Sequence, residues 1–418
     1  MDFLDSYGLI IVFSLTIIIS YFFNLYAKKS GVPAVLMLIG LGIVIRYSLL
    51  LFGEQSLDLT RPLEVLGVIG LILIVLEAAL DLRLKKEKIG LIIKSFLVAL
   101  LGLGGTAYLI AISLGHFLHV EFLNALLYAI PLSILSSAII LPSIDDLDKE
   151  KREFMIYEST FSDIIGIVGF YSVLTILDSS NLAGVYGGLF TNLILTVVFS
   201  IIISYILIYV SQNIKGHVKL FLLIAILLLL YAIGKMFHLS SLIIILIFGI
   251  ILNNYKVFFK GVLTRIVSFE KIEGVLDDMK VVTGETAFVV RTFFFIIFGW
   301  SVSLGSLISF NAIGLGLLAL AIIYLIRTIV LLAVAGKNII PQLFLAPRGL
   351  ITILLFFAIP ENLSSTSDLE GVLLFVILLS CVVMSWALIE HKKKLAAEFL
   401  DYENKNSSLE DESEIIEE

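Results

Sequence analysis

One cysteine, five histidines, seven prolines and two tryptophans are all that 418 residues hold of those four types, and charged side chains make up only 15%. The lone Cys381 excludes an intramolecular disulfide and a thiolate metal cluster. So few charges exclude a soluble domain of this length, whose surface would then be apolar too. The net charge is −7, and nothing in the sequence suggests a nucleic-acid partner. The opening "MDFLDSYG" lacks the basic stretch of a signal peptide, and no small-residue cleavage site follows, so the first apolar run reads as a permanent span. Much of the acid sits in "NKNSSLEDESEIIEE", part of a tail at 392–418 expected to be irregular and solvated.

What fills the chain instead is apolar sequence, 60% of all residues, with a mean hydropathy of +1.10. About 20 apolar residues span a bilayer as a helix. Thirteen such runs occur: 7–26, 32–51, 63–82, 89–114, 122–144, 153–177, 183–211, 218–236, 239–255, 281–304, 307–336, 339–360 and 367–390. The expected architecture is therefore an all-α polytopic membrane unit over 1–391. With the N-terminus outside, 21 of the 28 Lys and Arg fall in inner loops and the tail, and only Arg61 in an outer loop. The positive-inside rule then puts the C-terminus on the cytoplasmic side of a cell membrane. Between runs nine and ten, residues 260–280 place Val262, Ile266, Phe269, Val275, Leu276 and Met279 at helical spacing among charges. They predict an amphipathic inner-surface helix linking two halves.

The scarce prolines cluster where they disrupt. Run five, "FLNALLYAIPLSILSSAIILPSI", carries Pro131 and Pro142 around Ser133, Ser136 and Ser137. Run twelve, "IIPQLFLAPRGLITILLFFAIP", carries Pro341 and the break Pro347, Arg348, Gly349. Proline removes a backbone donor and clashes with the preceding turn. Two broken spans an odd number of helices apart point to inverted repeats with a binding site at the membrane midplane, as in secondary transporters.

Run six places Glu158 and Asp163 well inside the hydrocarbon, where a carboxylate costs a few kcal/mol or more. Five residues apart on a helix is about 140° of rotation, so the two need different partners. The cations within spans near enough in kind are Arg291, Arg327 and Arg348, and Glu77 is a further intramembrane acid. One division has Arg348 neutralising Glu158 while Asp163, oriented by Ser159, faces a cavity and exchanges ligands. Ser136, Ser137, Ser159 and Ser162 would supply oxygen to a hard cation there. The pair His116 and His119 in "HFLH" has no third ligand in view and carries no metal site or enzyme chemistry.

The residues carry a resemblance. "YESTFSDIIG" resembles the "ES-x-x-N-D" helix of the monovalent cation/proton antiporter superfamily, in its sodium/proton exchanger (NhaP-like) branch. "APRGLITILLFFAIP", "FFFIIFGWSVSL", "KKSGVPAVLMLIGLGIVI" and "LEAALDLRLKK" resemble further segments of that family. The resemblance implies two inverted repeats with a crossed pair of discontinuous helices, and a homodimer with dimerisation and core subdomains. It implies Asp163 as the aspartate that holds either a cation or a proton, Glu158 and Arg348 as a structural ion pair, and no cofactor. Two departures stand out. Ser162 occupies the place of an Asn or a second Asp, and "SSA" (Ser136, Ser137, Ala138) the place of "T-D-P". Arg291 lies where some electrogenic relatives have a lysine near the aspartate, so Arg291 and Glu77 are candidate modulators. The expected activity is exchange of Na+, with K+ or Li+ as alternatives, for H+, electroneutral because Ser162 is neutral. The alternative is a divergent member that moves K+ or another ion or solute, or a channel or sensor without coupling.

Overall fold

A computed structural model describes residues 6–51, 60–84, 86–178, 182–213, 219–236, 241–261, 264, 267–301, 305, 309–360, 363 and 368–417. Each of the thirteen apolar runs coincides with a helix or a broken helix, and no strand occurs among the described residues. The helices are α1 (Ser6–Ser30), α2 (Ala34–Leu51), α3 (Thr60–Asp81), α4 (Ile89–Leu118), α5 (Phe122–Ser133), α6 (Ser137–Ile140), α7 (Lys149–Asp178) and α8 (Leu182–Ser211). They continue as α9 (Lys219–Met236), α10 (Ser241–Asn253), α11 (Tyr255–Phe258), α12 (Phe269–Ser301), α13 (Phe310–Val334), α14 (Leu350–Phe357) and α15 (Asp368–Glu417). Eight spans are long and apolar enough to cross a membrane by length and composition, and shorter apolar helices lie at Ala34–Ser48, Phe221–Gly234 and Leu242–Asn253. The chain is a multi-pass membrane protein.

The helices pack as two bundles. One gathers α4, α5, α6, α7, α13, α14 and α15; the other gathers α1, α2, α3, α8, α9, α10 and α12. Within the second, α2 and α12 touch backbone to backbone. A Cβ on Gly42 would lie 2.1 Å from the Ile296 carbonyl oxygen, and one on Gly299 2.2 Å from that of Ile39. Small residues permit such approach, and in lipid, close packing is what holds helices together.

Two expectations are corrected. The linker read at 260–280 is no separate surface helix from Phe269 on. Val262 and Ile266 lie outside the described residues, and α12 runs unbroken over 33 residues. Its buried stripe of Ile272, Val275, Leu276 and Met279 continues into Thr283, Ala287 and Val290, with no proline to stop it. At 1.5 Å per residue that is about 50 Å, more than the roughly 30 Å of hydrocarbon. The acidic tail is likewise helical, because α15 extends over 50 residues to Glu417. Its Leu, Ala, Glu and Lys are good helix formers, and they propagate a helix already nucleated in the bundle. Run twelve unwinds as its prolines predict. Only Leu350–Phe357 is α-helix, and residues 336–349 form turns and extended chain. Ile340 and Ala346 each precede a proline, a position biased away from the helical region.

Run five breaks as expected. Pro131 sits in the last turn of α5, the backbone is extended at Ile134 and Ser136, and helix resumes at Ser137. The two breaks meet where the Ser136 N–H donates to the Pro347 carbonyl at 3.0 Å.

Candidate ion-binding site at the helix crossing

The site is assembled by α7 lying against both breaks. The two buried carboxylates of α7, Glu158 and Asp163, face apart, as their spacing requires, and their surroundings differ completely.

Glu158 is fully buried. Its partner is Arg327 of α13, with Nη1 donating to Oε1 at 2.5 Å and Nη2 to Oε2 at 3.1 Å. This corrects the pairing of Glu158 with Arg348. The fork of Arg327 matches a carboxylate edge-on. Its Nε also donates to the Gln342 and Leu343 carbonyls at 3.1 Å each, and Nη2 to Gln342 at 2.8 Å. One guanidinium thus neutralises Glu158 and satisfies carbonyls of the unwound segment.

Arg348 has other work. Its Nε donates to the Leu132 carbonyl at 2.8 Å, Nη2 to that of Ser133 at 3.4 Å, and Nη1 to that of Ala346 at 2.8 Å. Leu132 and Ser133 end α5, where carbonyls lack helical partners and the helix dipole is negative. A cation placed there secures the broken end. The backbone N–H of Arg348 donates to Ser380 Oγ of α15 at 3.0 Å, which fixes the second break from behind.

Asp163 is 4% exposed and has no arginine partner among its hydrogen bonds. Ser137 Oγ, at the start of α6, donates to its Oδ2. Its Oδ1 is buried with no hydrogen-bond partner. Asp163 lines a cavity of about 20 Å³, with Thr160, Ile164 and Ile167 of α7, Val75 and Ala78 of α3, and Leu242, Ile243 and Leu246 of α10. That is room for one water-sized body.

Of the serines expected around Asp163, only Ser137 hydrogen-bonds it. Ser162 Oγ accepts from the Leu135 N–H at 3.0 Å and braces the first break. Ser136 closes the crossing through its backbone. Ser159, expected to orient Asp163, donates to the Ile156 carbonyl at 3.3 Å. Thr160 escaped the sequence reading although it lies three residues before Asp163 and so shares its face. Arg291 does not hydrogen-bond Asp163: Nη1 donates to the Ala138 carbonyl at 3.1 Å and Nη2 to Glu77 Oε2 at 3.4 Å. His119 Nδ1 lies 3.0 Å from the His116 carbonyl, and the described residues hold no metal-competent group of three His, Cys, Asp or Glu.

The crossing leaves no room at Gly349. A Cβ there would lie 2.5 Å from Ser136 Oγ and 2.7 Å from Ile139 Cδ1. Gly349→Ala is expected to force the two breaks apart, at about 1–3 kcal/mol for overpacking. A lowered melting temperature in detergent is the result to look for; an unchanged value would mean that the crossing is slack.

Residues 12–389 match the family described as sodium/hydrogen exchanger, transmembrane. Two solved structures of the sodium proton antiporter MjNhaP1 from Methanocaldococcus jannaschii share the fold. The one at pH 8 gives a TM-score of 0.68 at 21% identity, over 91% of this chain and 97% of that one. A three-dimensional electron-microscopy map of it gives 0.67 at 19% identity, over 93% and 98%. No curated protein matches the chain.

Proposed function

The chain belongs to the sodium/hydrogen exchanger family, and we propose that it exchanges one monovalent cation, Na+ first, for one proton around Asp163. The observation that carries this reading is the contrast between the two buried carboxylates of α7. Glu158 is engaged by both guanidinium arms of Arg327, whereas Asp163 keeps an unpartnered oxygen beside a cavity.

Exchange follows from neutralisation. A bare carboxylate is expensive to carry through hydrocarbon, so the bundle bearing α7 changes sides only with Asp163 holding a proton or a cation. The cavity wall is divided accordingly: Asp163 belongs to one bundle, while Val75, Ala78, Leu242, Ile243 and Leu246 belong to the other. Sliding one bundle past the other moves the carboxylate and leaves the apolar wall behind. The bundle with α1, α2 and α3 serves as the fixed, dimer-forming part, the N-terminus lies outside, and the tail lies in the cytoplasm.

Stoichiometry rests on the same count. The proton and the monovalent cation each bring one positive charge to Asp163, so a full cycle moves none. Glu77 and Arg291 pair within the fixed bundle, so a proton on Glu77 would not travel. In liposomes, Glu77→Gln is expected to leave exchange insensitive to an imposed membrane potential, as in the wild type. A voltage-dependent rate in the wild type would defeat one-for-one exchange, since each net charge is worth about 2.3 kcal/mol per 100 mV.

The direct test is reconstitution with an internal pH dye and outward-facing pulses of Na+, K+ and Li+. Cation-driven alkalinisation establishes exchange and names the ion. Absence of signal with all three supports the second reading, another ion or solute or an uncoupled channel or sensor. That reading is favoured by Ser137 standing where relatives have a carboxylate.

A further inference from the structure

The cavity beside Asp163 is walled almost wholly by hydrocarbon. Among its lining residues the one polar side chain besides Asp163 is Thr160. Thr160 is 1% exposed, and its Oγ1 donates to the Ile156 carbonyl at 2.8 Å. A hydroxyl has one proton and two lone pairs. With the proton committed along the helix, the oxygen has only acceptor capacity left for the cavity. The same cavity is bounded by Asp163, whose Oδ1 is buried without a partner. Two residues whose side-chain oxygens keep acceptor capacity, three apart on one helix face, line a space the size of one water.

A hard monovalent cation stripped of most of its water needs oxygen donors and tolerates none of the aliphatic side chains around it. We propose that Thr160 Oγ1 is a ligand of the transported cation, acting together with Asp163 and travelling with it. This deepens the reading of Asp163 as the exchange site and rests on it. Thr160 is suited to the task because both residues sit on α7, whereas the wall from α3 and α10 belongs to the other bundle. A ligand on the fixed bundle would be left behind when the cation moves. A proton on Asp163 needs no such help, so Thr160 favours the cation-bound form over the protonated one.

The test is exchange in liposomes as a function of Na+ concentration for the wild type, Thr160→Val, Thr160→Ser and Asp163→Asn. Valine keeps the shape and removes the oxygen; serine restores it. Thr160→Val is expected to raise the half-saturating Na+ concentration about tenfold or more, with the maximal rate at saturating Na+ kept. Thr160→Ser is expected to stay near the wild type. Should Thr160→Val fail to insert, Thr160→Ala is read by the same criterion. Unchanged half-saturation in the variant lacking the oxygen overturns the proposal. So does a loss of maximal rate at unchanged half-saturation, which marks a packing role. Asp163→Asn separates the two levels: if it still exchanges, the underlying reading falls; if it is inactive while Thr160→Val behaves as wild type, only the role of Thr160 falls.

Discussion

Asp163→Asn protein in liposomes should show no alkalinisation with Na+, K+ or Li+ beyond that of protein-free vesicles. Asparagine has nearly the shape of aspartate and still accepts the Ser137 hydrogen bond through its amide oxygen. What it lacks is the charge that attracts a cation and the proton that leaves when the cation arrives. Folding should not suffer, because an unpaired buried carboxylate is a burden on the native state and a neutral amide is a smaller one. The melting temperature in detergent should therefore be equal to or above that of the wild type. Exchange lost at undiminished stability identifies Asp163 as the working group. Exchange retained would move the site elsewhere, with Glu77 the next acid to test.

The second large effect is expected on stability. Arg327→Met should lower it by about 3–5 kcal/mol, the usual result of leaving a buried charge without its partner. Glu158 is fully buried, and the Gln342 and Leu343 carbonyls lose a donor in the same substitution. Adding Glu158→Gln to Arg327→Met should recover a substantial part of the loss by removing the stranded charge. Adding it to Arg348→Met should recover much less, because Arg348 donates to carbonyls at the end of α5 and to Ala346. Melting temperatures of the three single and two double variants, with the wild type, form the two cycles that decide this. Recovery specific to the Arg348→Met background would reinstate the pair inferred from resemblance. Lysine is no substitute at 327: it lacks the fork that holds both oxygens of Glu158 and the neighbouring carbonyls together.

Much was legible in the sequence because a bilayer imposes a simple rule. Backbone polar groups must be satisfied within each span, so a span is a helix of about 20 apolar residues. That rule located the long apolar helices among the described residues, and Pro131, Pro341 and Pro347 located the two breaks. Helical geometry alone also separated Glu158 from Asp163, since five residues on one helix cannot face one partner.

The partners themselves were decided by tertiary structure. Arg291, Arg327 and Arg348 lie on three different elements, and nothing local to any of them says which crosses α7 at the height of Glu158. The crossing of α13 with the unwound segment brings Arg327 there and turns Arg348 toward the end of α5. In the same way, Ser136, Ser137, Ser159 and Ser162 are equivalent as oxygen donors in the sequence. Only the path of the broken chain aims Ser137 at Asp163, uses Ser162 and Ser136 as braces, and brings Thr160 to the cavity. The physical reason is one of range. Hydrophobic burial in a membrane acts on each run of sequence by itself, whereas the pairing of a buried charge depends on directional bonds between atoms as far apart in the chain as Glu158 and Arg327.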